Sequence, residues 1–236
     1  MQKTNSKVYS LIIVISFIMM SLLGSVHFWS FNESFYKSEH DKLMLYGKHI
    51  AEYIGISDED LFELTHFTLS YLNDPKASLD IQMKVNGKLR EIFTDDEKAH
   101  MVDVRNLNLA ANYLLLDSVI VFTAFMILYI VRKYPFSVLY GWYKKILLYI
   151  MIFIAIVGLW ILIDFDGFWT FFHHVFFAGN DLWLLDLRSD ILIMIVPPEF
   201  FNHLVVTIVL TFVSLLVIFG LILYLLNKKE KEKANG

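Results

Sequence analysis

The sequence predicts an α-helical integral membrane protein: four transmembrane helices, both termini inside, and a mostly helical outward-facing segment with a small β-hairpin. Three observations predict this. Hydrophobic residues make up 57% of the 236 positions and charged residues 19%, whereas soluble domains run near roughly 45–50% and 25%. The mean hydropathy is +0.55. Four segments are apolar over a length that can cross a bilayer, and the stretches joining them alternate in charge. This composition excludes a soluble enzyme, a disordered chain and a nucleic-acid binder. Cysteine is absent, which removes disulfides, thiol catalysis and thiolate metal sites, and means that the chain is not itself a lipoprotein acylated on cysteine.

A membrane helix needs about 20 mostly apolar residues. The first span is read at 8–29, because Val8 to Asn32 contains no Asp, Glu, Lys or Arg. It is too long for a signal-peptide core and lacks a small-residue cleavage site, so it is read as a retained anchor. The outer segment 30–106 follows. A helical stripe is expected through Glu33–Tyr53, on Phe35, Leu43, Tyr46, Gly47, Ile50 and Ile54. Ser57 then caps a helix carrying Leu61, Leu64, Phe67, Thr68 and Tyr71, which stops near Asn73-Asp74-Pro75. Asn86-Gly87 predicts the type I′ turn of a hairpin over 81–93. Thr94 to Glu97 form a second capping box, and no breaker follows before the second span, 107–131. A cytoplasmic loop at 132–145 leads to the third span, 146–163. An outer loop at 164–203, the fourth span at 204–226 and a tail at 227–236 complete the order.

Charge sets the orientation. The N-terminal tip, the loop from Arg132 to Lys145 and the tail together hold ten Lys/Arg against two acids. Ser30 to Arg105 holds nine basic against fifteen acidic residues, and Asp164 to Glu199 holds one against six. The positive-inside rule places both termini in the cytoplasm and both acidic segments outside.

The candidate chemistry lies in those outer segments. On an unbroken helix His100 stands seven residues before Leu107, about 10 Å from it and hence at headgroup depth. Asp103 follows at i+3, on the same face, where a carboxylate can hold an imidazole in one tautomer. Gly167 to Asn180 is uncharged, aromatic and too short to span, which suits a re-entrant or interfacial segment. His173 and His174 sit in its middle and point about 100° apart on a helix. An aromatic belt with histidines at the water boundary explains that segment equally well, and a solvated helix with an incidental histidine explains His100. Asp117, inside a span, is either a functional residue or a buried polar anchor for helix packing. His27, His40, His49, His66 and His203 read as interface or surface residues. The serine-hydrolase elbow, the zinc-protease histidine pair, the phosphate loop and the dinucleotide fingerprint are all missing. Histidines, carboxylates, Arg105 and Arg188 remain, a set able to transfer protons and steady an oxyanion without a covalent nucleophile.

Several ordered stretches carry a resemblance. Phe35 to Leu43, Ser57 to Leu61 with Tyr71-Leu72, Glu97 to Val104, Phe172 to Phe177, Asn180 to Asp190 and Pro198 to Phe201 together resemble the lipoprotein intramolecular transacylases of Gram-positive bacteria. The family more often has an acidic residue after its loop histidine, where this chain has His174; Phe172 before and Val-Phe-Phe after select His173. The resemblance implies a multi-pass enzyme of the cell membrane with its site facing outward. Its reaction moves an acyl chain from the sn-2 ester of a diacylglyceryl lipoprotein to the α-amine of the lipidated N-terminal cysteine. His100 and His173 would be the acid/base pair, His174 the lesser candidate, Asp103 an orienter, and Arg105, Asn180 or Arg188 the oxyanion donors. The partners implied are the lipoprotein substrate and membrane lipids, with no cofactor, metal or nucleic acid. The competing readings are a non-enzymatic sensor or lipoprotein-binding chaperone, and a metal-dependent lipid hydrolase with His100, His173, His174 and a carboxylate as ligands.

Overall fold

The computed structural model describes residues 2–235. The chain is mostly helical, with two small antiparallel hairpins. Its elements in order are α1 (Gln2–Ser30), α2 (Glu33–Lys42), β1 (Met44–Leu45), β2 (Lys48–His49), α3 (Ile50–Ile54), α4 (Asp58–Asn73), β3 (Gln82–Val85), β4 (Lys88–Glu91), α5 (Asp95–Val131), α6 (Phe136–Ile163), α7 (Phe165–Phe176), α8 (Ile191–Ile195) and α9 (Pro198–Asn235). Four of them, α1, α5, α6 and α9, are long and apolar enough to cross a membrane.

The chain divides into two compact units. The first comprises 1–27, 112–165 and 207–236. Its core joins Ile13, Val14 and Phe17 of α1, Tyr129 of α5, Leu139 and Tyr143 of α6, and Phe212, Leu216, Phe219 and Leu223 of α9. Phe17 stacks on Phe219 with ring centroids 3.8 Å apart. Lipid is as apolar as these side chains, so close packing and buried hydrogen bonds hold such helices together. Ser10 reaches the Tyr129 hydroxyl at 3.3 Å, and that hydroxyl donates to the Pro135 carbonyl at 2.8 Å. The Tyr143 hydroxyl donates to the Leu216 carbonyl. Gly220 makes room for this ring, since a Cβ there would meet Tyr143 Cε1 at 2.8 Å. Asp117 is exposed on this unit and so is not the buried packing anchor that its mid-span position allows.

The second unit comprises 28–111 and 166–206. Ser57 caps α4 with a complete capping box, its side chain accepting from Asp60 N while the Asp60 side chain accepts from Ser57 N. Asn86 and Gly87 have φ of 50° and 77°, the left-handed pair that a type I′ turn requires. The hairpin pairs Gln82 with Glu91 through Val85 with Lys88. Its tip docks on the end of α3, where Gly55 (φ 85°) accepts from Asn86 N at 2.8 Å. A Cβ at Gly55 would lie 2.4 Å from the Asn86 side chain. The helix expected through Glu33–Tyr53 is interrupted: β1 and β2 form a second tight hairpin at Tyr46 (φ 51°) and Gly47 (φ 82°). The core under both hairpins gathers Ile50, Ile54, Leu61, Leu64, Met83, Ile92 and Phe93 with Ile191, Leu192 and Ile195.

Candidate active site

The site grows from the start of α5. Thr94 and Glu97 form the second capping box, with Thr94 N donating to Glu97 Oε2 at 2.6 Å and Glu97 N to Thr94 Oγ1 at 3.3 Å. The Glu97 side chain is fully buried, and its other oxygen accepts from Leu192 N at 2.7 Å. One carboxylate thus closes the N-terminus of α5 and takes an orphan donor from the first turn of α8. His100 follows one turn later.

His173 comes from α7, twelve residues long and therefore about 18 Å, too short to cross a bilayer. On α7 His173 is buried with Trp169 and Phe172 half-buried beside it, while His174, pointing about 100° away, is exposed. His100 and His173 are 7% and 5% exposed, their ring centroids lie 6.2 Å apart and their planes differ by 34°. Phe177 packs against both, at 5.2 Å from His100 and 5.5 Å from His173. Trp169 meets His173 edge-on at 4.5 Å, and Trp183 stacks on it at 4.7 Å with planes 23° apart.

Hydrogen bonding distinguishes the two imidazoles. His173 Nδ1 lies 2.8 Å from the Trp169 carbonyl. A carbonyl only accepts, so Nδ1 carries the proton and the neutral ring presents a bare lone pair at Nε2. His100 Nδ1 is buried with no partner. Burial holds both rings in the neutral form. The His173 pKa lies below the usual 6.5, lowered by desolvation against the opposing Trp169 hydrogen bond. His100, which precedes the apolar run, is pushed down to about 4 by desolvation and by the neighbouring His173, with Asp103 acting in the other direction.

The remaining expected residues fall into place less directly. Asp103 acts on His100 only through its charge; its Oδ2 instead accepts from Asn180 Nδ2 at 3.0 Å, tying the loop after α7 to α5. Asn180 Oδ1 in turn accepts from Leu182 N at 3.2 Å. Arg105 donates to the carbonyls of Ala77 (2.9 Å) and Asp74 (3.4 Å) and lies 4.4 Å over the Tyr71 ring, so it straps the turn after α4. Arg188 is exposed and forms a bidentate pair with Asp186 at 3.1 and 3.0 Å. Among the described residues no three His or acidic side chains converge as a metal ion requires. His40, expected at the surface, is 8% exposed and bonds the Ile195 carbonyl at 2.8 Å through Nε2. Next to it the buried Glu39 takes His203 and Lys42.

Sequence reasoning passed over Phe177, Trp183 and the second bond of Glu97. Trp183 lies in the stretch Asn180 to Asp190 that carries the resemblance, but nothing local marks an indole as a neighbour of a histidine ten residues earlier.

Residues 11–201 match the family described as lipoprotein intramolecular transacylase Lit. The chain belongs to the lipoprotein intramolecular transacylase family. It is therefore an enzyme, a multi-pass membrane acyltransferase. In meso structures of the membrane integral lipoprotein intramolecular transacylase Lit from Bacillus cereus share its fold. One is 18% identical over 99% of both chains, with a TM-score of 0.76. A second, carrying a histidine-to-arginine mutation, is 19% identical over 98% of this chain and 96% of that one, at 0.74. A third, with a histidine-to-alanine mutation, is 19% identical over 99% and 97%, at 0.71. No curated protein matches the transacylase chain described here.

Proposed function

We propose that this transacylase moves the sn-2 acyl chain of a diacylglyceryl lipoprotein onto the α-amine of the same molecule's N-terminal cysteine, at the outer face of the cell membrane. His100 and His173 are its acid/base pair. The observation that carries this reading is the pairing itself: two buried neutral imidazoles, 73 residues apart in sequence, with ring centroids 6.2 Å apart. Acceptor and donor belong to one substrate, so holding the amine against the ester supplies most of the acceleration; well-oriented intramolecular attack is worth roughly 7–11 kcal/mol.

Proton handling is what remains for the side chains. The amine nitrogen adds to the ester carbon, and its excess proton goes to the bare Nε2 of His173. The bond from that carbon to the glyceryl oxygen then breaks, leaving an amide, and the histidine pair returns a proton to the departing oxygen. An imidazole whose pKa is held low gives its proton up readily to an alkoxide. The acidic outer segments and basic inner ones support the outward orientation, and the short aromatic α7 suits the interface. His100→Ala and His173→Ala are expected to accumulate in membranes as folded protein while mass spectrometry of lipoprotein N-termini finds only the diacyl form. Wild-type amounts of the lyso form from either variant would overturn the assignment.

A further inference from the structure

We infer that Trp183 is a catalytic residue of this reaction, its indole N–H donating a hydrogen bond to the carbonyl oxygen of the ester under attack. The inference rests on the acyl-transfer reading above and adds the donor which that reading needs.

Three observations lead to it. Trp183 lies flat on His173, centroids 4.7 Å apart, so the indole borders the ring whose Nε2 is bare. Its Nε1 is enclosed and has no acceptor in the protein, and His100 Nδ1, on the other ring of the pair, is in the same state. A buried indole N–H ordinarily finds a partner, and leaving one unmade is costly. Lastly, Trp183 and Trp169 both line a groove of about 530 Å³ whose other walls include Leu185, Ile193 and Pro198. Tyr46, Asp186 and Arg188 complete its walls and neither histidine lines it, so the groove borders the pair only through the two indoles that pack on His173.

Each expected oxyanion donor already serves an acceptor elsewhere, while Arg105 Nε is buried without one. Arg105 serves two carbonyls, Asn180 serves Asp103, and Arg188 serves Asp186. The indole is a donor only and keeps its proton at any accessible pH. As the carbon–nitrogen bond forms, the carbonyl π pair moves onto oxygen and the N–H···O bond strengthens. When the bond to the glyceryl oxygen breaks, the pair returns and the carbonyl reforms as the amide. No proton leaves Trp183 at any step.

The test uses the full-length enzyme in liposomes with a synthetic diacylglyceryl lipopeptide, its products followed by mass spectrometry. Trp183→Phe removes the N–H and keeps an aromatic ring. Benzothienylalanine at position 183 keeps the whole bicyclic shape, with sulfur in place of N–H, and so guards against a packing defect. Both are expected to lower kcat about 10²-fold or more, as loss of one oxyanion donor does, with KM little changed. Wild-type kcat with benzothienylalanine, or a rise in KM alone, overturns the role of Trp183 while leaving acyl transfer intact. If His100→Ala and His173→Ala also retain full activity, the reading beneath it falls instead.

Discussion

A histidine can act as a base only through a nitrogen that carries no proton, and here the Trp169 carbonyl decides which nitrogen that is. The bond lies within one helix, four residues back, so the tautomer is set by local geometry and not by a distant carboxylate. Burial then keeps both imidazoles neutral at ordinary pH. The folded pKa of each lies below 6.5, so the base is available above that range and lost as pH falls through the folded value. The enzyme's own contribution to the acidic limb of kcat against pH is expected below 6.5, separable from the substrate amine near 8 by using lipopeptides of altered amine basicity. A limb at or above 6.5 that does not move with the amine would contradict the assignment. The same sign applies to stability. Between the folded and ordinary values the unfolded chain binds more protons, so thermal stability is expected to drop as pH falls through that window.

At the scale of elements, the histidines depend on joints whose residues are not themselves catalytic. Glu97 accepts from Thr94 N and Leu192 N at once, fixing α8 against the helix that carries His100. Glu97→Gln turns an NH₂ toward one of these two donors. It is expected to cost about 1.5–3 kcal/mol, as for hydrogen bonds to a charged group, read as a lower melting temperature in detergent; an unchanged midpoint would show that the joint bears no load. The capping boxes at Ser57 and Thr94 and the Asn86-Gly87 turn were legible in sequence, because each is a contract among residues within four positions. The β1–β2 hairpin was not, since the apolar stripe continues across Tyr46-Gly47 at helical spacing and hides the turn. His40, Trp183 and the inward bond of Glu97 were equally hidden, because their partners lie far along the chain or depend on how an indole stacks. The resemblance points to His100 and His173; the proposal of His173 Nε2 as base draws on a hydrogen bond that only three-dimensional geometry displays.

Along the whole chain, basic connections alternate with acidic ones, and the proposed orientation rests on that alternation. Because the chain has no cysteine, single cysteines report on this without any background. Asn86→Cys in the hairpin is expected to react with a membrane-impermeant thiol reagent on intact cells, and Lys231→Cys in the tail only after permeabilisation. The opposite pattern would invert the proposed orientation. Four helices long enough to cross a bilayer follow from composition and length, whereas how the nine short elements between them fold does not, because a sequence states hydrophobic period more clearly than it states which distant faces meet.

Phe177, sealed at 7% exposure, lies across both imidazoles. An ester beside two bases is as vulnerable to hydroxide as to a primary amine, and chemistry alone would let much of the acyl group escape as fatty acid. If the pair acts as proposed, the aromatic ring packed against both imidazoles would limit that leak by keeping water away. In the proposed reaction the fidelity of the transfer would then come from two sources, the tethering of the amine and the dry apolar surroundings of the pair.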